Sequence, residues 1–199
     1  LLRPGNHRRA WGRRRPRGRV RRDARDRAAR DGGRARGAEG AERREAVGEE
    51  VRIYTVILYV HGYNRWLVLL AAAFALFASY RSWLGGRAYG RGEALASRSF
   101  LGLLDLQVLL GLVLYALSPI VRTGLADLGA AMGVRELRFF SVEHITGMLV
   151  ALAFAHVGAA RVRRASTDGA RLRQAAIWQT LAVVSILVSV PWWRPLLPG

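Results

Sequence analysis

Four stretches of this chain are apolar for long enough to cross a lipid bilayer: residues 54–80, 100–118, 141–160 and 175–192. A helix rises ~1.5 Å per residue, so ~20 apolar residues cover a hydrocarbon core of ~30 Å. No soluble domain of 199 residues needs four such runs. The pattern predicts an all-α protein: an integral membrane four-helix up-down bundle. The lipid bilayer is its first partner, and the chemistry falls to the few polar residues inside the spans.

Composition divides the chain in two. Residues 1–50 hold 17 Arg and 8 acids, with no apolar run, and residues 51–199 hold 15 Arg, 6 acids and all four spans. This divides the chain into a basic low-complexity tail, 1–50, and a transmembrane domain, 51–199. The tail is expected to be disordered or non-native. It is Arg/Gly/Ala-rich text without periodicity, the chain opens on Leu-Leu, and a translation start at Val51 needs only a GTG codon. His7 within it is assigned no role. A formal charge of +18 would ordinarily point to nucleic acid. The run Arg13-Arg14-Arg15-Pro16-Arg17 lacks interleaved aromatics and a folded scaffold, so no nucleic-acid partner is expected. The chain has no Cys, which excludes disulfides, thiolate metal sites and covalent haem attachment. No nucleophile motif, P-loop or dinucleotide fingerprint is present.

The connections after the first and third spans carry nine Arg, against four in the second connection and the C-terminal end. Positive-inside bias puts the first and third connections in the cytoplasm and both termini outside. Trp83, Trp178, Trp192 and Trp193 lie near span ends, and Pro119 and Pro191 sit where helices should stop. Residues 124–138 have helical spacing and read equally well as a surface helix or a plain loop.

Within the first span, His61 and Arg65 are four apart and share a face, which continues through Val68, Ala72, Ala75 and Ser79. Within the third, His144 shares a face with Gly147, Ala151, Ala155 and Gly158. Such small faces suit close helix packing, or room for a flat cofactor. Ionisable residues in a membrane are costly and usually face the bundle interior. His61 lies roughly 10 Å and His144 roughly 6 Å below the outer surface, counted along the helical rise. The two helices run parallel and diagonal in an up-down bundle, so both imidazoles can reach one iron from opposite sides. Asn64 and Arg65 are then candidates for the carboxylates of a cofactor. His156 lies about 18 Å further along its helix than His144. It should meet Asp105 in the inner leaflet, as a pair holding two helices together, a second cofactor site or a proton relay. Gln107 is read as packing, and Glu143 as a companion of His144. Zinc or copper is disfavoured, because no histidines are paired at i,i+4.

Several segments together resemble a family. They are His61-Gly62-Tyr63-Asn64-Arg65-Trp66-Leu67-Val68-Leu69-Leu70, Leu106-Gln107-Val108-Leu109-Leu110-Gly111-Leu112-Val113-Leu114-Tyr115, Ser118-Pro119, Arg138-Phe139-Phe140-Ser141-Val142-Glu143-His144 and Val190-Pro191-Trp192-Trp193-Arg194-Pro195-Leu196. They resemble small four-span bacterial membrane proteins labelled cytochrome b-like. The resemblance implies a bundle binding haem b, with His61 and His144 as ligands. Two-haem bundles of this type use four span histidines, and this chain has three, so one haem is the expectation and two the outer bound. The expected function is electron transfer as a subunit or with a redox partner in a larger membrane complex of the bacterial inner membrane, rather than a self-contained enzyme. The rivals are a cofactor-free structural or assembly subunit and a small proton-coupled carrier using His156 and Asp105.

Overall fold

A computed structural model describes residues 17–194. Residues 1–50 and 51–199 separate as two units. Seven α-helices and one π-helical turn account for nearly all of the described chain: α1 Arg17–Leu84, α2 Arg91–Leu117, α3 Pro119–Ala126, α4 Leu128–Gly133, α5 Arg135–Arg138, the π turn Phe139–Glu143, α6 His144–Arg164 and α7 Asp168–Ser189.

Where coil was expected in the tail, residues 17–50 are helical. The physical reason is local. Arg and Ala make up about half of this stretch, no proline follows Pro16 in it, and both residues have high intrinsic helix propensity, which outweighs its scattered glycines. The described side chains there are almost all exposed, so this helix buries no apolar face. Residues 1–16 lie outside the described part.

In residues 51–199, α1, α2, the run Arg135–Arg164 and α7 supply four helices long and apolar enough to cross a membrane. Between 22% and 39% of each apolar window is buried inside the protein, so most of the apolar surface faces outward, as a bilayer requires. The chain is a multi-pass, all-α membrane protein. Its core is thin and built from small or flat contacts: Val68, Ala72 and Ala75 of α1, Phe100 and Leu104 of α2, Ala151 and Ala155 of α6, Ala182 and Ile186 of α7. The small stripes read in the sequence are therefore helix seams. On α6 the seam faces α7. A Cβ on Gly147 would overlap Ser189, and one on Gly158 would overlap Trp178. In a bilayer, such close approach replaces the hydrophobic drive that water would provide.

Polar ties add to the packing at the arginine-rich end. Ser79 Oγ donates to Gln179 Oε1 at 3.1 Å, and Gln179 Nε2 donates to Ser97 Oγ at 2.8 Å. Tyr80 and Thr180 hydroxyls lie 3.0 Å apart. These bonds join α1, α2 and α7. Gly86 makes the turn after α1 with φ +63°, a backbone state that side-chain-bearing residues rarely adopt.

At the other end, α2 stops at Leu117 because Pro119 cannot continue it. Pro119 instead opens α3, with Ser118 Oγ accepting from Val121 N. Asp127 caps α4, its carboxylate accepting from Ala130 N at 3.0 Å. The stretch 124–138 is thus neither one surface helix nor a plain loop, but parts of three short helices broken at Asp127 and Val134. The third span begins in the π turn. A π turn leaves backbone groups without their usual i–4 partners. Within this turn the Ser141 carbonyl accepts from Tyr115 Oη of α2 at 2.8 Å.

Candidate functional site

His61 on α1 and His144, the first residue of α6, come together. Their ring centroids are 6.4 Å apart with planes at 74°. Both rings line a cavity of about 130 Å³, together with Gly111, Tyr115, Phe140 and Arg194. Gly111 leaves space for the first ring, since a Cβ there would lie 3.2 Å from His61 Cε1.

Each imidazole is oriented by a neighbouring helix. His144 Nδ1 lies 2.7 Å from the Ser189 carbonyl of α7. A carbonyl only accepts, so Nδ1 carries the proton and Nε2 keeps its lone pair, the arrangement that metal-binding histidines use. His61 Nε2 lies 3.1 Å from Gln107 Nε2, which also donates to the His61 carbonyl at 3.1 Å. The amide is the donor, so His61 carries its proton on Nδ1. That atom is buried without a hydrogen-bond partner. A buried orphan donor is uncommon and calls for an explanation.

Gln107, read from sequence as packing, is the hub of this region. Its Oε1 accepts from Asn64 Nδ2 at 2.8 Å. Asn64 also donates to the Leu103 carbonyl at 3.1 Å. Both bonds run to α2, as a buried amide in a bilayer requires partners on a neighbouring helix. Arg65, one turn beyond His61, has its guanidinium 5.9 Å from the Trp66 ring centre. Glu143 does not join His144. It pairs with Arg138 at 2.6 Å, on the exposed side of the π turn.

A roof of rings packs over His144 at the end of the bundle away from the arginine-rich loops. Phe139 and Phe140 have centroids 5.8 and 6.2 Å from it. Trp193 packs edge-on against Phe139 at 4.5 Å. Arg135 lies 4.1 Å over Trp193, and Arg194 lies 4.5 Å over Phe140 while holding Glu136 at 2.8 Å. The two segments Arg138–Glu143 and Pro191–Arg194 thus form one structure. Sequence reasoning missed Ser189 and Arg194 as site residues. The signal for Arg194 was a lone arginine directly after two tryptophans; for Ser189, whose backbone is what counts, there was none.

His156 and Asp105 meet as expected, Nε2 to Oδ1 at 2.8 Å, joining α6 to α2. Both side chains are about half exposed, at 54% and 46%, so they face out of the bundle. They line neither this cavity nor the larger one at the arginine-rich end.

Among the described residues, no three His, Asp or Glu side chains converge on a common point. No family model, curated protein or solved structure matches the chain.

Proposed function

We propose that this protein binds one haem b between His61 and His144 and passes electrons within a bacterial inner membrane, with both termini outside. The observation that carries the reading is the pair of imidazoles 6.4 Å apart on two spans, lining one cavity. The donor set fits the group. His144 keeps Nε2 free because Ser189 holds Nδ1, and His61 offers a second ring whose Nδ1 has no partner. The space fits it in part, since about 130 Å³ is less than a whole macrocycle fills, so side chains of the lining must give way. Haem b would supply a one-electron iron couple. The chain's own residues do the rest. Gln107 has to release His61 Nε2, and its remaining bond to the His61 carbonyl keeps α1 on α2 meanwhile. Phe139, Phe140 and Trp193 keep water from the outer side of His144. Arg65 and Arg194 bring positive charge to the region, which suits the carboxylates of the cofactor. The resemblance to cytochrome b-like four-span proteins supports the same reading.

A second reading has its own support. The Asn64–Gln107–His61 network already ties α1 to α2 with no cofactor in place, as expected of a cofactor-free structural or assembly subunit. The carrier reading draws less support, because Asp105 and His156 face outward instead of lining a path.

The test is a reduced-minus-oxidised spectrum of detergent-purified protein made with haem available. The bands of a six-coordinate haem b are expected. His61→Ala and His144→Ala should each abolish stable binding, while His156→Ala keeps it. A folded, colourless, iron-free preparation refutes the proposal in favour of the structural subunit.

A further inference from the structure

At the arginine-rich end a second, larger cavity of about 470 Å³ opens between α2, α6 and α7. Three guanidiniums from three helices line it: Arg98 of α2, Arg163 of α6 and Arg171 of α7. Like charges repel at short range, and repulsion grows as water is replaced by protein and lipid. An assembly of this kind normally contains its counter-charge. Here two carboxylates stand near three guanidiniums: Glu93, whose oxygens accept from Ser82 Oγ and Gly90 N, and Asp168. Arg171 reaches Asp168 at 3.5 Å, a long contact, and its Nε is spent on the Ala165 carbonyl at 3.2 Å. Arg98 and Arg163 have no hydrogen bond or ion pair among the described residues.

The rest of the lining has a different character. Phe100, Leu101, Ala155, Gly158, Val162 and Trp178 make an apolar wall running into the bundle. Two of the polar residues on it, Gln179 and Ser97, bond to each other at 2.8 Å. Trp178 Nε1 is likewise turned to Gln174 at 2.9 Å. The cavity therefore presents positive charge at its mouth and hydrocarbon behind it. Its size lies within the range of small-molecule sites, ~300–1,000 Å³. It sits where the spans meet the headgroup layer, and basic pockets between spans are where anionic lipid headgroups bind.

We propose that this cavity is a binding site for a phosphate-bearing anion, namely the glycerophosphate headgroup of an anionic phospholipid. Arg98, Arg163 and Arg171 hold the phosphate, and the upper acyl carbons lie against Leu101 and Trp178. Arginine suits the role because its planar fork gives a phosphate two parallel hydrogen bonds. The apolar wall is what selects a lipid over free phosphate. The site is distinct from the histidine pair and stands whether or not haem binds there.

The test uses the full chain in detergent and native mass spectrometry, titrated with phosphatidylglycerol, phosphatidylcholine or inorganic phosphate. Phosphatidylglycerol should bind at least tenfold tighter than phosphatidylcholine, and inorganic phosphate should leave both the mass and the unfolding temperature unchanged. Arg98→Gln and Arg163→Gln should each weaken phosphatidylglycerol about fivefold, the equivalent of ~1 kcal/mol per basic side chain. Adding Arg171→Gln should bring binding down to the phosphatidylcholine level. Arg161→Gln, Arg164→Gln and Arg173→Gln combined remove the same charge from the same end without touching the cavity, and should leave binding intact. Equal losses in the two triple variants would overturn the site in favour of diffuse attraction to a basic surface. Inorganic phosphate stabilising as well as the lipid would overturn the headgroup assignment. The single variants carry the test should the triple cavity variant not fold, because Arg98 and Arg163 are exposed and tie nothing together in the fold.

Discussion

Gln107→Leu separates what holds the bundle from what the site is for. Gln107 makes three hydrogen bonds between α2 and α1: to His61 Nε2, to the His61 carbonyl and from Asn64 Nδ2. Leucine fills a similar volume and makes none of them. Hydrogen bonds between helices in a bilayer average ~0.6 kcal/mol, so three amount to about 2 kcal/mol. The Asn64 amide keeps its bond to Leu103, which limits further loss. Cofactor-free protein should therefore unfold at a lower denaturant fraction in mixed micelles, by an amount equivalent to about 2 kcal/mol. The same change should act in the opposite direction on haem. His61 Nε2 no longer has to leave a partner, which spares one such bond and tightens haem binding about threefold. Unfolding against SDS fraction and a Soret titration of apo-protein measure the two effects. A variant as stable as the parent refutes the hub. A variant that folds and binds haem more weakly refutes the competition between Gln107 and iron.

Three other outcomes are expected. Gly158→Val should cost about 2 kcal/mol by driving α6 off Trp178, whereas Gly169→Val, with no atom within 4 Å of its added Cβ, should cost far less; thermal unfolding in detergent compares them. Glu93 accepts from Ser82 Oγ at 2.6 Å and from Gly90 N, and the Ser82 bond is the main reason its carboxyl sits below the usual 4.5. A depressed carboxyl stabilises the fold above its unfolded value and loses that contribution as pH falls through the folded one. The stability gap between parent and Ser82→Ala should therefore be open at neutral pH and close in acid; coincident pH profiles would contradict this. Reporter fusions at Gly90 and Asp168 should report the cytoplasm and one at Gly129 the outside, and the reverse pattern would invert the topology.

Span number and type were readable because a bilayer punishes every unpaired backbone group, so long apolar helices have no alternative. Depth was readable too, since rise per residue is constant, and counting residues puts His61 beside His144 and His156 beside Asp105. Azimuth was not. Whether Asn64 faces a cofactor or α2 depends on a few tens of degrees of helix rotation, which periodicity in a wholly apolar span does not encode. For the same reason Gln107 looked like filler. The bond from Tyr115 to the Ser141 carbonyl of the π turn was equally hidden, because it joins residues 26 apart.

The histidines differ in what each is fastened to. His61 is bound to α2 through Gln107, and His144 is bound to α7 through Ser189. Each imidazole is thus fixed within one arm of two helices, α1 with α2 or α6 with α7. At the arginine-rich end the arms are riveted together, α1 and α2 to α7 by Gln179 and Thr180, and α2 to α6 by Asp105 and His156. The molecule is built like tongs, with a pivot at one end and the two imidazoles as the jaws. The arms are also tied beside the jaws, by Tyr115 Oη of α2 on the Ser141 carbonyl, so the gap between the rings follows from how far the arms close and from that bond. Anything that prises the arms apart near Tyr115 widens the jaws while leaving both rings held in their own arms, and anything that loosens the pivot lets them drift out of register.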